Sequence, residues 1–156
     1  MKIQILIALC LPLAAACAEK SDEASAPAMD TAQQPAAQSR SVSAEDARVF
    51  FISPADGDTI SNPVSVVFGT GGMAVVPAGN DMPHSGHHHL LIDTEMPELG
   101  FPIPKDEHHV HFGGGSTETE ITLDPGEHTL QLLLGDHLHI PHDPPLSSAR
   151  ITITVK

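Results

Sequence analysis

The amino-acid sequence predicts an all-β domain, specifically an immunoglobulin-like antiparallel β-sandwich of about seven strands. Apolar and polar residues alternate strictly from Thr117 to Leu123, which is the pattern of a strand with one buried face. No segment shows the apolar period of about 3.6 residues that a helix needs to bury one face. Short apolar runs are separated by turns rich in glycine and proline, such as Pro54 to Asp58. These three observations favour short strands throughout the domain.

The expected strands follow one another along the chain. They are residues 48–53, 63–68, a short strand at 73–76, then 88–93, 117–123, 128–134 and 148–156. The core residues that we expect are apolar members of the last three strands. They are Ile121, Leu123, Leu130, Leu132, Leu134, Ile151 and Ile153. In this fold, the connection before residue 88 and the loop 136–145 should lie at the same end of the sandwich.

Residues 1–16 resemble a secretory signal peptide, because one lysine precedes a short apolar run that ends in small residues. The run is too short to cross a hydrocarbon core of about 30 Å comfortably as a permanent helix. The segment from Ala14 to Cys17 resembles a bacterial lipobox, in which cleavage leaves Cys17 lipidated at the new N-terminus. The alternative is ordinary signal cleavage near Ala16 or Ala18, with Cys17 incidental.

The next segment, residues 17–47, has no aromatic residue and is rich in Ala, Ser, Gln and acidic residues. This composition predicts a disordered linker after the lipidated cysteine. The sequence therefore predicts three parts, namely a signal peptide at 1–16, the linker at 17–47 and a histidine-rich β-sandwich domain at 48–156. Such a protein would lie in the periplasm, attached to a membrane of the cell envelope through its lipid anchor only.

Charge and cysteine content exclude several classes of function. The formal net charge is −13 with histidine neutral, so the chain repels phosphate backbones and nucleic acid is not an expected partner. The chain also lacks Trp and Tyr, which would provide stacking platforms for bases. Its two cysteines, Cys10 and Cys17, lie within or at the end of the signal peptide. The domain should therefore contain no disulfide, no thiolate metal ligand and no cysteine nucleophile.

The pattern His-X-His occurs three times and indicates a metal site. Residues i and i+2 of a strand share a face, roughly 7 Å apart, so one ion can accept both imidazoles. The predicted ligands are His87, His89, His109, His111, His137, His139 and His142. Copper or zinc is expected rather than calcium or magnesium, because hard ions prefer oxygen ligands. Affinity should fall as the pH drops through about 6.5, where histidine protonates.

We expect the centre of the site to combine the two loops that the fold brings together. The centre would be His87, His89, His137 and His139, completed by His109, His111 or His142. Three carboxylates could orient ring nitrogens by hydrogen bonding, namely Asp93, Asp136 and Asp143. Strand phase stays open, since either His88 or its two neighbours could point into the core. His84 and His128 are expected on the surface, and Gly113 to Gly115 should permit a bend or a close backbone approach.

Three kinds of function remain open. A binding module for a metal is favoured over an enzyme, because the histidines are the only candidate acids, bases or nucleophiles and the motif Gly-X-Ser-X-Gly is absent. A copper-dependent oxidoreductase would need an open coordination position beside a place for substrate. If the histidines are solvated loop residues, the domain would be a structural or interaction module of the cell envelope without a metal.

Three longer segments resemble a family of bacterial exported proteins, domain of unknown function 4399 (DUF4399). They are Gly-His-His-His-Leu-Leu-Ile-Asp from Gly86, His-His-Val-His-Phe-Gly-Gly-Gly from His108, and Pro-Gly-Glu-His-Thr-Leu-Gln-Leu-Leu-Leu-Gly-Asp-His from Pro125. The resemblance covers Ile52 to Lys156 and implies an exported β-domain, but it implies no activity. A weaker likeness, of His109-Val110-His111-Phe112-Gly113 to copper/zinc superoxide dismutase, lacks the disulfide cysteines and the ligand order, so it serves as an analogy only.

Overall fold

Strands account for the regular structure of the computed structural model, which describes residues 36–156. They are β1 (Arg48–Ser53), β2 (Thr59–Ile60), β3 (Val64–Gly71), β4 (Ala74–Val75), β5 (Ser85–Ile92), β6 (His109–His111), β7 (Glu118–Ile121), β8 (Gly126–Gly135) and β9 (Ile151–Val155). The predicted signal peptide, Cys17 and the first part of the predicted linker lie outside the described residues. Within the described range, no helix is long and apolar enough to cross a membrane.

The strands form two sheets, in the orders β1-β3-β7 and β2-β9-β8-β5-β4, with β6 also paired to β5. Most neighbours are antiparallel, but β2 runs parallel to β9 and β4 runs parallel to β5. The predicted all-β sandwich is confirmed, and the pairing order is that of an immunoglobulin-like fold. Two strands were not predicted, β2 and β6, because two or three residues are too few to show an alternating pattern.

One apolar core lies between the sheets and joins residues of both. Val66 and Phe68 of β3 belong to the same buried cluster as Leu90 of β5 and Leu132 of β8. Of the predicted core residues, five are buried, namely Leu130, Leu132, Leu134, Ile151 and Ile153. Ile121 and Leu123 are only partly buried, although they pack against the core. They lie on or just after β7, which is an edge strand and pairs only with β3.

The central strand β5 is buried at every position from Ser85 to Ile92. One face of β5 packs into the core between the sheets. Loop residues cover the opposite face, where Leu91, Ile103 and Leu133 form a second, smaller apolar cluster. Because both faces are covered, three consecutive histidines are buried on this strand.

The folded part of the chain begins before residue 48. The sequence predicted a disordered linker up to residue 47. Backbone hydrogen bonds join Gln38 to Gly100, and both Ser41 and Ser43 to Asp143. We call residues 38–43 the N-terminal strap. Composition failed to predict the strap because its contacts are made by backbone groups and by polar side chains, which a linker also contains.

Candidate metal centre

His87 and His89 form the base of the site, on the face of β5 that points away from the main core. They pair with Gly135 and Leu133 of β8. Their Nε2 atoms lie 3.2 Å apart. Gly135 leaves room for the second imidazole, since a Cβ at that position would lie 3.0 Å from His89 Nε2. Two nearly inaccessible imidazoles are thus held side by side.

His111 joins this pair through β6. It lies opposite His89 in the antiparallel ladder, so the two side chains share a face. The ring of His111 is centred 4.9 Å from that of His87 and 5.0 Å from that of His89. One nitrogen from each of these residues lies within 4.8 Å of the others. Gly113 lies so close to the His111 imidazole that an added Cβ would overlap the ring, which confirms the predicted close approach.

His139 reaches the other three from the loop after β8. Its ring is centred 4.8 Å from the rings of both His87 and His111, and 6.1 Å from that of His89. We call His87, His89, His111 and His139 the histidine cluster. The backbone of His139 has a φ of 66°, a left-handed conformation that is rare for residues other than glycine. Such strain persists only where surrounding contacts enforce it.

Those contacts centre on Asp136. One carboxylate oxygen, Oδ1, accepts hydrogen bonds from the backbone N–H groups of Leu138 and Ile140, both at 2.9 Å. The N–H of His139 donates to the carbonyl of Asp136 at 2.9 Å, and the carbonyl of His139 accepts from Ile103 N–H at 2.8 Å. The loop therefore presents the His139 imidazole to the cluster in a defined position.

The environment of His87, His89 and His111 favours their neutral form, because it lowers the pKa of each. Burial, followed by the neighbouring histidines His139 and His111, lowers the pKa of His87 from 6.5 to about 4. Burial, followed by the neighbouring histidines His87, His111 and His139, lowers the pKa of His89 to about 2. Burial also lowers the pKa of His111, which is only half-buried. Neutral imidazole is the form that donates a lone pair to a metal ion.

Several nitrogens of the cluster have no hydrogen-bond partner among the described protein atoms. They are His87 Nδ1, His89 Nδ1 and His111 Nε2. A hydrogen bond or an ion between the Nε2 atoms of His87 and His89 would suit their separation, and neither would satisfy the two Nδ1 atoms. Two ligand nitrogens bonded to one tetrahedral zinc ion lie about 3.3 Å apart, given bonds of about 2.0 Å. His87, His89 and His111 could therefore hold a metal ion, and His139 adjoins them by the position of its ring.

The other predicted ligands lie elsewhere. His109 shares a face with His111 but lies opposite Leu91, and its Nδ1 is 2.8 Å from Asp106 Oδ1. His137 turns to the side of the loop where its Nδ1 is 3.4 Å from Asp81, in a cavity of about 330 Å³. His142 lies with its two ring nitrogens at the carbonyls of Leu134 and Ser85. His111 thus takes the place in the centre that the sequence assigned to His137.

His88 has the opposite orientation to its neighbours. Its ring packs edge-on against Phe68 in the main core, with centroids 4.7 Å apart. Both ring nitrogens are buried and lack partners in the described chain. Burial lowers the pKa of His88 to about 4. The phase of β5 is thus settled with His88 inward and the pair His87 and His89 on the loop-covered face.

The three carboxylates expected to orient ring nitrogens do not contact those of the histidine cluster. Asp143 pairs with Arg40, whereas Asp136 binds loop backbone. Asp93 Oδ2 lies 2.7 Å from Nδ1 of His128, and this contact raises the pKa of His128. His128 was expected on the surface but is half-buried, while His84 is exposed as expected. Within residues 36–156, no carboxylate hydrogen-bonds a ring nitrogen of the histidine cluster.

Together, the fold and the site define a class of protein, a β-sandwich with a cluster of imidazoles beside its central strand. The model of the family described as Domain of unknown function (DUF4399) matches residues 66–156, more than half of the chain. The protein belongs to this family, as the sequence motifs indicated. The matched region contains the whole histidine cluster. No curated protein and no solved structure matches the chain.

Proposed function

We propose that this protein is an exported, lipid-anchored periplasmic protein that binds a transition-metal ion, copper or zinc, at its histidine cluster. The observation that carries the proposal is the convergence of His87, His89 and His111, since one nitrogen from each lies within 4.8 Å of the others and the Nε2 atoms of the first two are 3.2 Å apart. The Nε2 atom of His111 is also buried without a partner in the described chain, and such an atom calls for an explanation such as an ion or a water molecule.

The chemistry of the cluster selects the class of metal. All four side chains offer imidazole nitrogen, which suits copper, zinc and nickel, whereas calcium and magnesium require oxygen ligands. Two of the imidazoles are buried and two are half-buried, so the cluster is reached through His111 and His139. The net charge of −13 attracts cations to the protein. In this proposal the protein binds the metal ion in order to sequester it or to deliver it.

Metal titration of the protein without a histidine tag tests this proposal, with Cu(II), Cu(I) and Zn(II) as probes. We expect at least one ion to bind with a Kd below about 1 μM. His111→Ala should weaken binding by about 100-fold, because it removes a ligand. The matched control is His109→Ala, which removes a histidine from the same strand and face but outside the cluster, and it should leave Kd unchanged.

Two results would contradict metal binding at this cluster. One is a Kd weaker than micromolar for all three ions, and the other is equal weakening by His109→Ala and His111→Ala. Either would favour a structural or interaction role for the domain, in which the histidines only pack.

A copper oxidoreductase is a second candidate, because the half-buried side of the cluster could leave one coordination position open to a substrate. Steady turnover of superoxide by the copper-loaded protein, abolished by His111→Ala, would place this candidate first. Binding without turnover would keep the protein a binding module.

Export and anchoring are tested separately by mass spectrometry of the protein isolated from bacterial membranes. We expect an N-terminus at Cys17 carrying two or three acyl chains, because the residues Ala14 to Cys17 resemble a lipobox. Cys17→Ser should release the protein from the membrane fraction, since stable anchoring depends on the acyl chains. An unlipidated N-terminus near Glu19 would mean ordinary signal cleavage.

A further inference from the structure

We propose that Ser41 and Arg40 of the N-terminal strap are positioning residues for the metal site, because they hold the loop that presents His139. The inference rests on the proposed metal binding. The strap has the composition of a linker. In this inference it slows dissociation of the ion.

The first contact runs through Asp136. The hydroxyl of Ser41 donates a hydrogen bond to Asp136 Oδ2 at 2.7 Å, while Oδ1 of the same carboxylate accepts the N–H groups of Leu138 and Ile140. One carboxylate therefore joins the strap to the two residues that flank His139. Asp136 is only 2% exposed, so water reaches it poorly and each of these hydrogen bonds counts more than it would on an open surface.

The second set of contacts fastens the end of the same loop. Arg40 Nε donates to the carbonyl of Pro141 at 2.9 Å, and its guanidinium also donates to the carbonyl of His142 and pairs with Asp143. Backbone hydrogen bonds from Ser43 and to Ser41 add to the pairing at Asp143. The strap thus contacts the loop at its first residue, Asp136, and again at residues 141–143.

His139 is the ligand that needs such support. His87, His89 and His111 lie on strands whose ladders fix them. His139 lies on a loop with a strained φ of 66° and is half-buried. If the strap no longer held Asp136, the loop could relax and the fourth imidazole would leave the ion first. Three ligands would remain, and the ion would dissociate faster.

The test uses the full, untagged chain loaded with Cu(II). The variants are Ser41→Ala and Arg40→Met, with His139→Ala as reference. We expect each strap variant to speed Cu(II) transfer to a chelator by about ten-fold. We also expect the nitrogen hyperfine structure in the electron paramagnetic resonance spectrum to shift toward that of His139→Ala. Ser41→Thr keeps the hydroxyl and should restore the native spectrum, which a role limited to stability would not require.

The matched control is Arg150→Met. Arg150 also joins two loops, through Glu95 and the carbonyl of Thr94, but none of its hydrogen bonds reaches the 136–143 loop. It should change neither rate nor spectrum. If wild-type protein binds Cu(II) and both strap variants keep its rate and spectrum, the positioning role is wrong while metal binding stands. If wild-type protein binds no metal, both proposals fail.

Hydrogen exchange on the metal-free protein keeps the inference testable should a variant prove unstable. In Ser41→Ala, the amides of Leu138 and Ile140 should exchange faster than in wild type, whereas the amides of β8 should be unaffected. Unchanged exchange at these two amides would overturn the link between strap and loop. Uniformly faster exchange throughout the domain would overturn it too, because the effect would then be a loss of global stability.

Discussion

Acidification from pH 7 to pH 4, without metal, is expected to destabilise the domain by at least on the order of 3 kcal/mol. The main cause is burial of neutral histidine. Burial lowers the pKa of His88 from 6.5 to about 4 in the folded protein. In the unfolded chain, His88 therefore binds a proton near pH 6.5. In the folded chain, it binds that proton only near pH 4. Stability is fully present above pH 6.5 and is lost as the pH falls through this window.

His87 and His89 act in the same direction, since burial also lowers their pKa values, to about 4 and about 2. The pH range of the loss distinguishes destabilisation by histidines from destabilisation by carboxylates. Asp93 and Asp136 have lowered pKa values, so the stability that they contribute is lost at more acidic pH. Urea unfolding at several pH values, with a chelator present, measures the effect. A free energy of unfolding that stays constant from pH 7 to pH 4 would contradict it.

His88→Leu is expected to stabilise the metal-free protein by about 1–3 kcal/mol at pH 7, and by more at pH 5. Both ring nitrogens of His88 are buried without a partner in the described chain, and the ring lies against Phe68 in an apolar core. Leucine has a similar size and has no polar atoms to satisfy, so the substitution should remove a cost without opening a cavity. The acid sensitivity of the domain should decrease in the same variant.

The matched control is His128→Leu. His128 lies with both ring nitrogens within 2.8 Å of the acceptors Asp93 and Asp124, so leucine would remove satisfied contacts and should lower stability. Urea unfolding compares the two variants, and metal titration should find the affinity of His88→Leu unchanged. A His88→Leu protein that is less stable than wild type at pH 5 would show that the unpartnered nitrogens do not govern stability there.

The fold could be predicted because alternation and turns are local signals. The five buried residues among the predicted core set lie at alternate positions of β8 and β9, on the face that meets the core between the sheets. The strand β5 gave no such signal, since both of its faces are buried and apolar residues and histidines occupy both. The orientation of His88 follows from Phe68 on the opposite sheet, which periodicity within β5 cannot reveal.

The candidate site could be predicted where the backbone is extended. His87 and His89 share a face because they lie on a strand, as the spacing indicated. The same spacing misled at His137 and His139, because Asp136 folds that segment into a turn and His139 adopts a positive φ. The sequence before this pair indicates a turn and not a continuing strand, since Gly135-Asp136 is a turn signal. The strap depends on contacts across about one hundred residues and could not be predicted from local composition.

The cluster also draws its members from three separate parts of the chain, β5, β6 and the loop after β8. An unfolded chain can offer an ion at most a neighbouring pair of these imidazoles, whereas the folded chain brings together His87, His89 and His111 and places the ring of His139 beside them. An ion that prefers the folded state stabilises it by mass action, by about 2.7 kcal/mol at a free concentration one hundred times Kd. If the proposed metal binding holds, the thermal midpoint of this protein should rise with the free metal concentration around it.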